Sequence, residues 1–165
     1  GGKITTYRHL AEDALEKMSD ILPETRTGAW TRGAVLPGGD FPVTGVDGQI
    51  AALLHACPVL DRTHAARLVR AYGTLAREIF NGVNEIGDLG RHFGAGLFER
   101  EVVYLMDREW ARTADDIVWR RSKLGLRMNT DQIEELDRWM RGRISTDNLL
   151  AQSKTSTIAR PGPPT

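Results

Sequence analysis

Apolar residues recur at three- and four-residue steps through most segments of this 165-residue chain, and nowhere do they alternate convincingly with polar ones. That pattern predicts an all-α fold, an irregular multi-helix bundle without internal repeats. Leu10, Ala11, Ala14, Leu15, Met18, Ile21 and Leu22 make the first stripe, with Thr5 or Thr6 as N-cap and Pro23 as the stop. Residues 24–42 carry Gly28, Gly33, Pro37, Gly38, Gly39 and Pro42 with no sustained period, which predicts a long connection between two structural units.

Helical spacing then returns. Ile50, Leu53 and Leu54 predict a short helix closed by Pro58, and Asp61 is placed to cap a segment whose stripe runs from Leu68 to Phe80. Gly73 and Thr74 divide that segment as a C-terminal glycine followed by a new N-cap. Residues 82–96 are expected to be a loop with one helical turn at residues 85–89. A helix over residues 97–110 follows, then one in which Thr113 caps and Asp116 completes a capping box. The last helix begins at Asn129 or Thr130 and is expected to stop near Gly142. Residues 144–165, rich in Ser, Thr and Pro, are expected to be a flexible tail.

Composition narrows the partners. Lys plus Arg number 22 and Asp plus Glu 22, so there is no basic excess to neutralise phosphates, and nucleic acid is not an expected partner. Cys57 is the one cysteine, which argues against disulfide chemistry and for a reduced compartment. No apolar run approaches the roughly 20 residues of a membrane span. The chain opens on Gly1-Gly2 without an initiator Met, the look of a C-terminal piece of something longer.

The segment Gly1-Gly2-Lys3-Ile4-Thr5-Thr6-Tyr7-Arg8 carries the most chemistry, because it sets two glycines and a lysine before a helix N-terminus. Free N–H groups and the positive end of the helix dipole favour an anion there, although Gly-Gly ahead of a helix is also an ordinary turn. Gly94-Ala95-Gly96 lacks the third glycine and the flanking strand of a dinucleotide-binding turn. His9, His55, His64 and His92 have no ligand spacing, so no metal is expected. Trp110, Trp119 and Trp139 are expected to pack between helices.

Several strings share an order with a known family. The opening octapeptide, Gly28-Ala29-Trp30-Thr31 and Val35-Leu36-Pro37-Gly38-Gly39 resemble the end of the catalytic part of bacterial, aerobic FAD-dependent glycerol-3-phosphate dehydrogenase. Arg70-Ala71-Tyr72-Gly73, Asp88-Leu89-Gly90, Phe93-Gly94, Glu109-Trp110-Ala111 and the run from Thr113 through Trp119-Arg120-Arg121-Ser122-Lys123 to Gly125 resemble its helical C-terminal cap. The resemblance implies four parts: residues 1–22 from the FAD-binding catalytic domain, a linker at 23–45, a cap at 46–143 and the tail. It implies oxidation of sn-glycerol 3-phosphate to dihydroxyacetone phosphate, with electrons passing through FAD to quinone at the inner face of the cytoplasmic membrane.

By the same resemblance Gly1, Gly2, Lys3, Ile4 and Thr5 approach the flavin, and Lys3 belongs to the active site, holding the substrate phosphate or charging the flavin edge. The expected partners are the upstream FAD-binding domain, glycerol 3-phosphate, quinone and a second copy in a homodimer. This piece alone is expected to bind no FAD and to be inactive. A glycerol-3-phosphate oxidase and a free-standing helical interaction module are the alternatives. Arg121 has two readings: an ion pair between helices, or part of a basic patch with Arg120, Lys123 and Arg127 facing the catalytic domain, anionic lipid or another subunit.

Overall fold

The computed structural model describes residues 3–25 and 28–158. It divides into two compact units, Gly1–Asp40 and Phe41–Thr165. The division falls inside the expected linker.

In the first unit, helix α1 spans Tyr7–Lys17 and buries none of its residues. Leu10 and Leu15 are 57% and 46% exposed. The helix is shorter than its apolar stripe: from Met18 onward the backbone tightens, with Ser19 N–H donating to Glu16 C=O and Ile21 N–H to Met18 C=O. Ser19 and Asp20 favour such turns over helix interiors. Part of the connection belongs to this unit, because the Thr31 N–H and hydroxyl both donate to the Glu12 carboxylate.

The second unit is built from α2 (Val46–Ala56), α3 (Arg62–Tyr72), α4 (Leu75–Ile79), α5 (Glu99–Arg108) and α6 (Thr130–Ile158). Its caps follow local chemistry. Asp61 accepts the His64 N–H at 2.8 Å, and Gly73 ends α3 at φ +57°, a conformation that disfavours a side chain. Asn129 and Gln132 exchange reciprocal bonds of 2.9 and 3.0 Å at the start of α6. The all-α class stands. Two apolar clusters make the core, one around Leu53, Leu68 and Phe80, the other around Leu105, Ile117, Leu136 and Met140. Tyr72 and Tyr104 pack against both, ring against ring at 5.6 Å.

Four features of the second unit depart from the sequence expectations. Residues 82–96 hold the expected turn, at Ile86–Leu89, but also the first strand of a small antiparallel hairpin, β1 (His92–Gly94) and β2 (Leu97–Phe98). Strands this short leave no alternation to read. Its tip, Gly94-Ala95-Gly96, runs entirely at positive φ, and a Cβ on Gly94 would lie 2.5 Å from the Gln132 side chain on α6.

The segment capped by Thr113 and Asp116 forms its box, with bonds of 3.0 and 3.3 Å, then widens into a π-helical turn over Asp116–Arg121. Ser122 stabilises the widening, since both its N–H and its hydroxyl donate to the Ile117 carbonyl five residues back. Helix α6 does not stop at Gly142 but continues to Ile158. Glycine inside a helix costs only about 1 kcal/mol, and Ser145 and Thr146 return their hydroxyls to the carbonyls of Arg141 and Gly142. Of the expected tail, residues 159–165 lie outside the described residues. Trp110 is 78% exposed at φ +56°, not packed between helices. Trp139 does pack, edge-on to Phe93 at 5.4 Å, while Trp119 lies over Gly125 but is exposed at 38%.

Candidate functional site

Two places in the fold gather chemistry, one in each unit. In the first, residues 3–6 form a turn directly before α1, with Thr6 N–H donating to Lys3 C=O at 3.0 Å. The Thr6 hydroxyl donates back to the same carbonyl at 3.3 Å instead of capping the helix. The first turn of α1 therefore has no side-chain cap and no acidic residue. Lys3, Ile4 and Thr5 are exposed beside it, whereas Gly1 and Gly2 lie outside the described residues. Lys3, Tyr7, Leu10 and Ala14 border a shallow, mainly apolar depression of about 410 Å³.

Arg8 and Glu12 pair on the same helix, with Nη1 at 2.9 Å from Oε2. The Thr31 hydroxyl bond, with the Arg8 charge behind it, holds the Glu12 carboxyl below its ordinary range against the opposing effect of burial. Lys3 has no part in that network.

The second place was not singled out in the sequence. Glu101, fully buried on α5, accepts Nη1 and Nη2 of Arg67 on its two oxygens, each at 2.7 Å, and the Tyr72 hydroxyl at 2.7 Å on Oε1. Arg67 also donates to the Gly96 carbonyl at 2.8 Å, tying α3 to the hairpin tip. Burial, reinforced by the Glu101 charge, pushes the Tyr72 phenol far up, so it stays a donor. The His64 ring stacks on Phe98 at 5.6 Å and faces Arg67, and burial followed by the Arg67 charge pushes its imidazole below the ordinary value. A Glu on a helix reads as solvated surface until its partners, 29 and 34 residues away, are known.

Arg121 resolves into a structural role. Its guanidinium donates to the carbonyls of Glu109 and Asp116, each at 3.0 Å, and lies 3.7 Å from the Asp116 carboxylate. Arg120 pairs with Asp116 at 2.7 Å. Among the described residues no three His, Cys, Asp or Glu side chains gather to hold a metal ion, and no helix is long and apolar enough to cross a membrane.

Residues 29–141 match the family described as the C-terminal domain of alpha-glycerophosphate oxidase. The chain belongs to that family. As a member it carries the Arg67–Glu101–Tyr72 cluster inside the matched region, while Lys3 precedes it. The chain is 44% identical over 140 residues to a glycerol-3-phosphate dehydrogenase of Pseudomonas aeruginosa, covering 85% of this chain and 27% of that protein. It is 40% identical over 140 residues to the aerobic glycerol-3-phosphate dehydrogenase of Escherichia coli, covering 85% and 28%. A D-erythritol 1-phosphate dehydrogenase of Brucella abortus is 41% identical over 123 residues, covering 74% and 24%. The chain thus spans about a quarter of the length of the curated relatives it matches.

Proposed function

We propose that this chain is the C-terminal portion of an FAD-dependent sn-glycerol-3-phosphate dehydrogenase, oxidising sn-glycerol 3-phosphate to dihydroxyacetone phosphate and delivering electrons to quinone at the inner face of the cytoplasmic membrane. The observation that carries it is the 44% and 40% identity to two relatives that bear that dehydrogenase name. FAD would supply the two-electron acceptor. The residues at the start of α1 fit an anionic group, since the first turn has neither an acid nor a side-chain cap and Lys3 stands exposed before it.

In this reading Lys3 offers a full positive charge to the substrate phosphate or to negative charge on the cofactor. The dipole of α1 adds to it. The helical unit braces the upstream FAD-binding domain, and a homodimer contact belongs to the same proposal. The 165-residue chain on its own is expected to be colourless and inactive.

A second reading, glycerol-3-phosphate oxidase, draws on the description of the matched family. The 41% identity to the erythritol-phosphate enzyme adds a longer polyol phosphate as a competing substrate. Assay of the purified full-length protein separates these readings. Glycerol 3-phosphate should drive reduction of a soluble quinone without stoichiometric hydrogen peroxide, and faster than erythritol phosphate. No reduction with either phosphate overturns the proposal; peroxide formation selects the oxidase.

A further inference from the structure

Next to the buried cluster lies a cavity of about 320 Å³, bounded by the start of α3, the hairpin tip and Arg127. That volume suits a small molecule. Val59, Leu89 and Phe98 give it an apolar side, and Thr63, Arg67 and Arg127 bring polar groups to the other. The Arg67 guanidinium is fixed by a fully buried carboxylate, which also accepts the Tyr72 hydroxyl, and buried ion pairs of this kind add little net stability. Arg67 uses its Nη groups on Glu101, Gly96 and the His64 ring, while its Nε–H meets no acceptor among the described residues.

Two further observations point into the same space. The Arg127 guanidinium makes no ion pair or hydrogen bond among the described residues. Ala95 lines the cavity at φ +49°, a backbone strain that a non-glycine residue carries where the surroundings hold it in place. The opposing charge is Asp61, one oxygen of which is already occupied by the His64 N–H. Glu101 sits behind Arg67 and is fully bonded.

We propose that this cavity is a binding site for a phosphate dianion, free or as a small monoester, held by Arg127 and the Nε–H of Arg67 with the Thr63 hydroxyl as a further donor. The inference uses residues of the second unit alone and holds whatever reaction the whole protein runs. His64, on the cavity wall between Arg67 and Phe98, reports on occupancy, because a dianion beside it favours the imidazolium.

The test is a proton NMR titration of the His64 ring in the 165-residue chain with inorganic phosphate and, separately, with glycerol 3-phosphate. A saturable shift in the millimolar range and an upward move of the His64 pKa are expected. Arg127→Gln, at an exposed position, should fold normally and weaken binding by about tenfold or more. Equal affinities for the two ligands identify free phosphate as sufficient, and tighter binding of the ester identifies a monoester site. No saturable shift into the tens of millimolar, a shift reproduced by sodium chloride at equal ionic strength, or an undiminished one in Arg127→Gln overturns the proposal.

Discussion

The guanidinium of Arg67 lies in two parallel 2.7 Å bonds to the carboxylate of Glu101, a pair that joins α3 to α5 with Glu101 wholly out of solvent. A buried bidentate pair contributes little net stability as a whole, yet losing one member strands the other.

Glu101→Ala should therefore destabilise the second unit by about 3 to 5 kcal/mol, the usual cost of an unpaired buried charge. Glu101→Gln, which leaves an acceptor for Tyr72, should cost less. Urea unfolding followed by circular dichroism measures both, and an unchanged midpoint in the alanine variant would contradict the role given to the pair.

Gly125 admits no side chain. A Cβ there would lie 2.5 Å from the Trp119 ring, so Gly125→Ala must push the indole off its seat. Overpacking of this kind costs about 1 to 3 kcal/mol. Thermal unfolding should show the loss and near-ultraviolet circular dichroism a change in the tryptophan bands; wild-type behaviour in both would mean the ring moves freely.

Asp116 gives the fold an acid-sensitive anchor. The Arg112 N–H first, then the Thr113 N–H and Arg120, hold its carboxyl down to about 2 against an ordinary 3.8, with burial opposing them. The folded state thus favours the carboxylate: its stabilisation is complete above 3.8 and is lost as the pH falls through about 2. Asp116→Ala should cost about 1 kcal/mol at neutral pH, as lost caps do, and flatten the stability profile across that window. A profile as steep as wild type would assign the acid sensitivity elsewhere.

Lys3→Ala in the full-length protein tests the proposed role of the first unit. If Lys3 holds substrate phosphate equally in ground and transition states, KM rises and kcat stays; if it stabilises charge on the reduced cofactor, kcat falls and the cofactor becomes harder to reduce. A charge-assisted bond of about 1.5 to 3 kcal/mol makes either effect roughly ten- to a hundredfold. We expect both parameters to move, with the larger loss in kcat/KM. Unaltered kinetics and potential would leave Lys3 as a turn residue.

The helix boundaries at Asp61, Gly73, Thr113 with Asp116, and Asn129 were legible in the sequence because each acts on backbone groups within four residues of itself. The apolar stripes were legible for a similar reason: helical geometry alone carries Leu136 and Met140 to one side. The loop expected over residues 82–96 concealed a hairpin, since three consecutive positive-φ residues, Gly94-Ala95-Gly96, close strands too short to show a period.

The sequence by itself therefore determined the all-α class, most helix starts and the family. Those depend on short-range bonding and on strings of residues. The tertiary structure alone decided that Glu101 is buried, that Arg67 and Tyr72 satisfy it across 34 and 29 residues, and that Trp110 stands in solvent. A side chain's desolvation and its partners belong to the packed chain, and no local pattern encodes which helix will arrive opposite it.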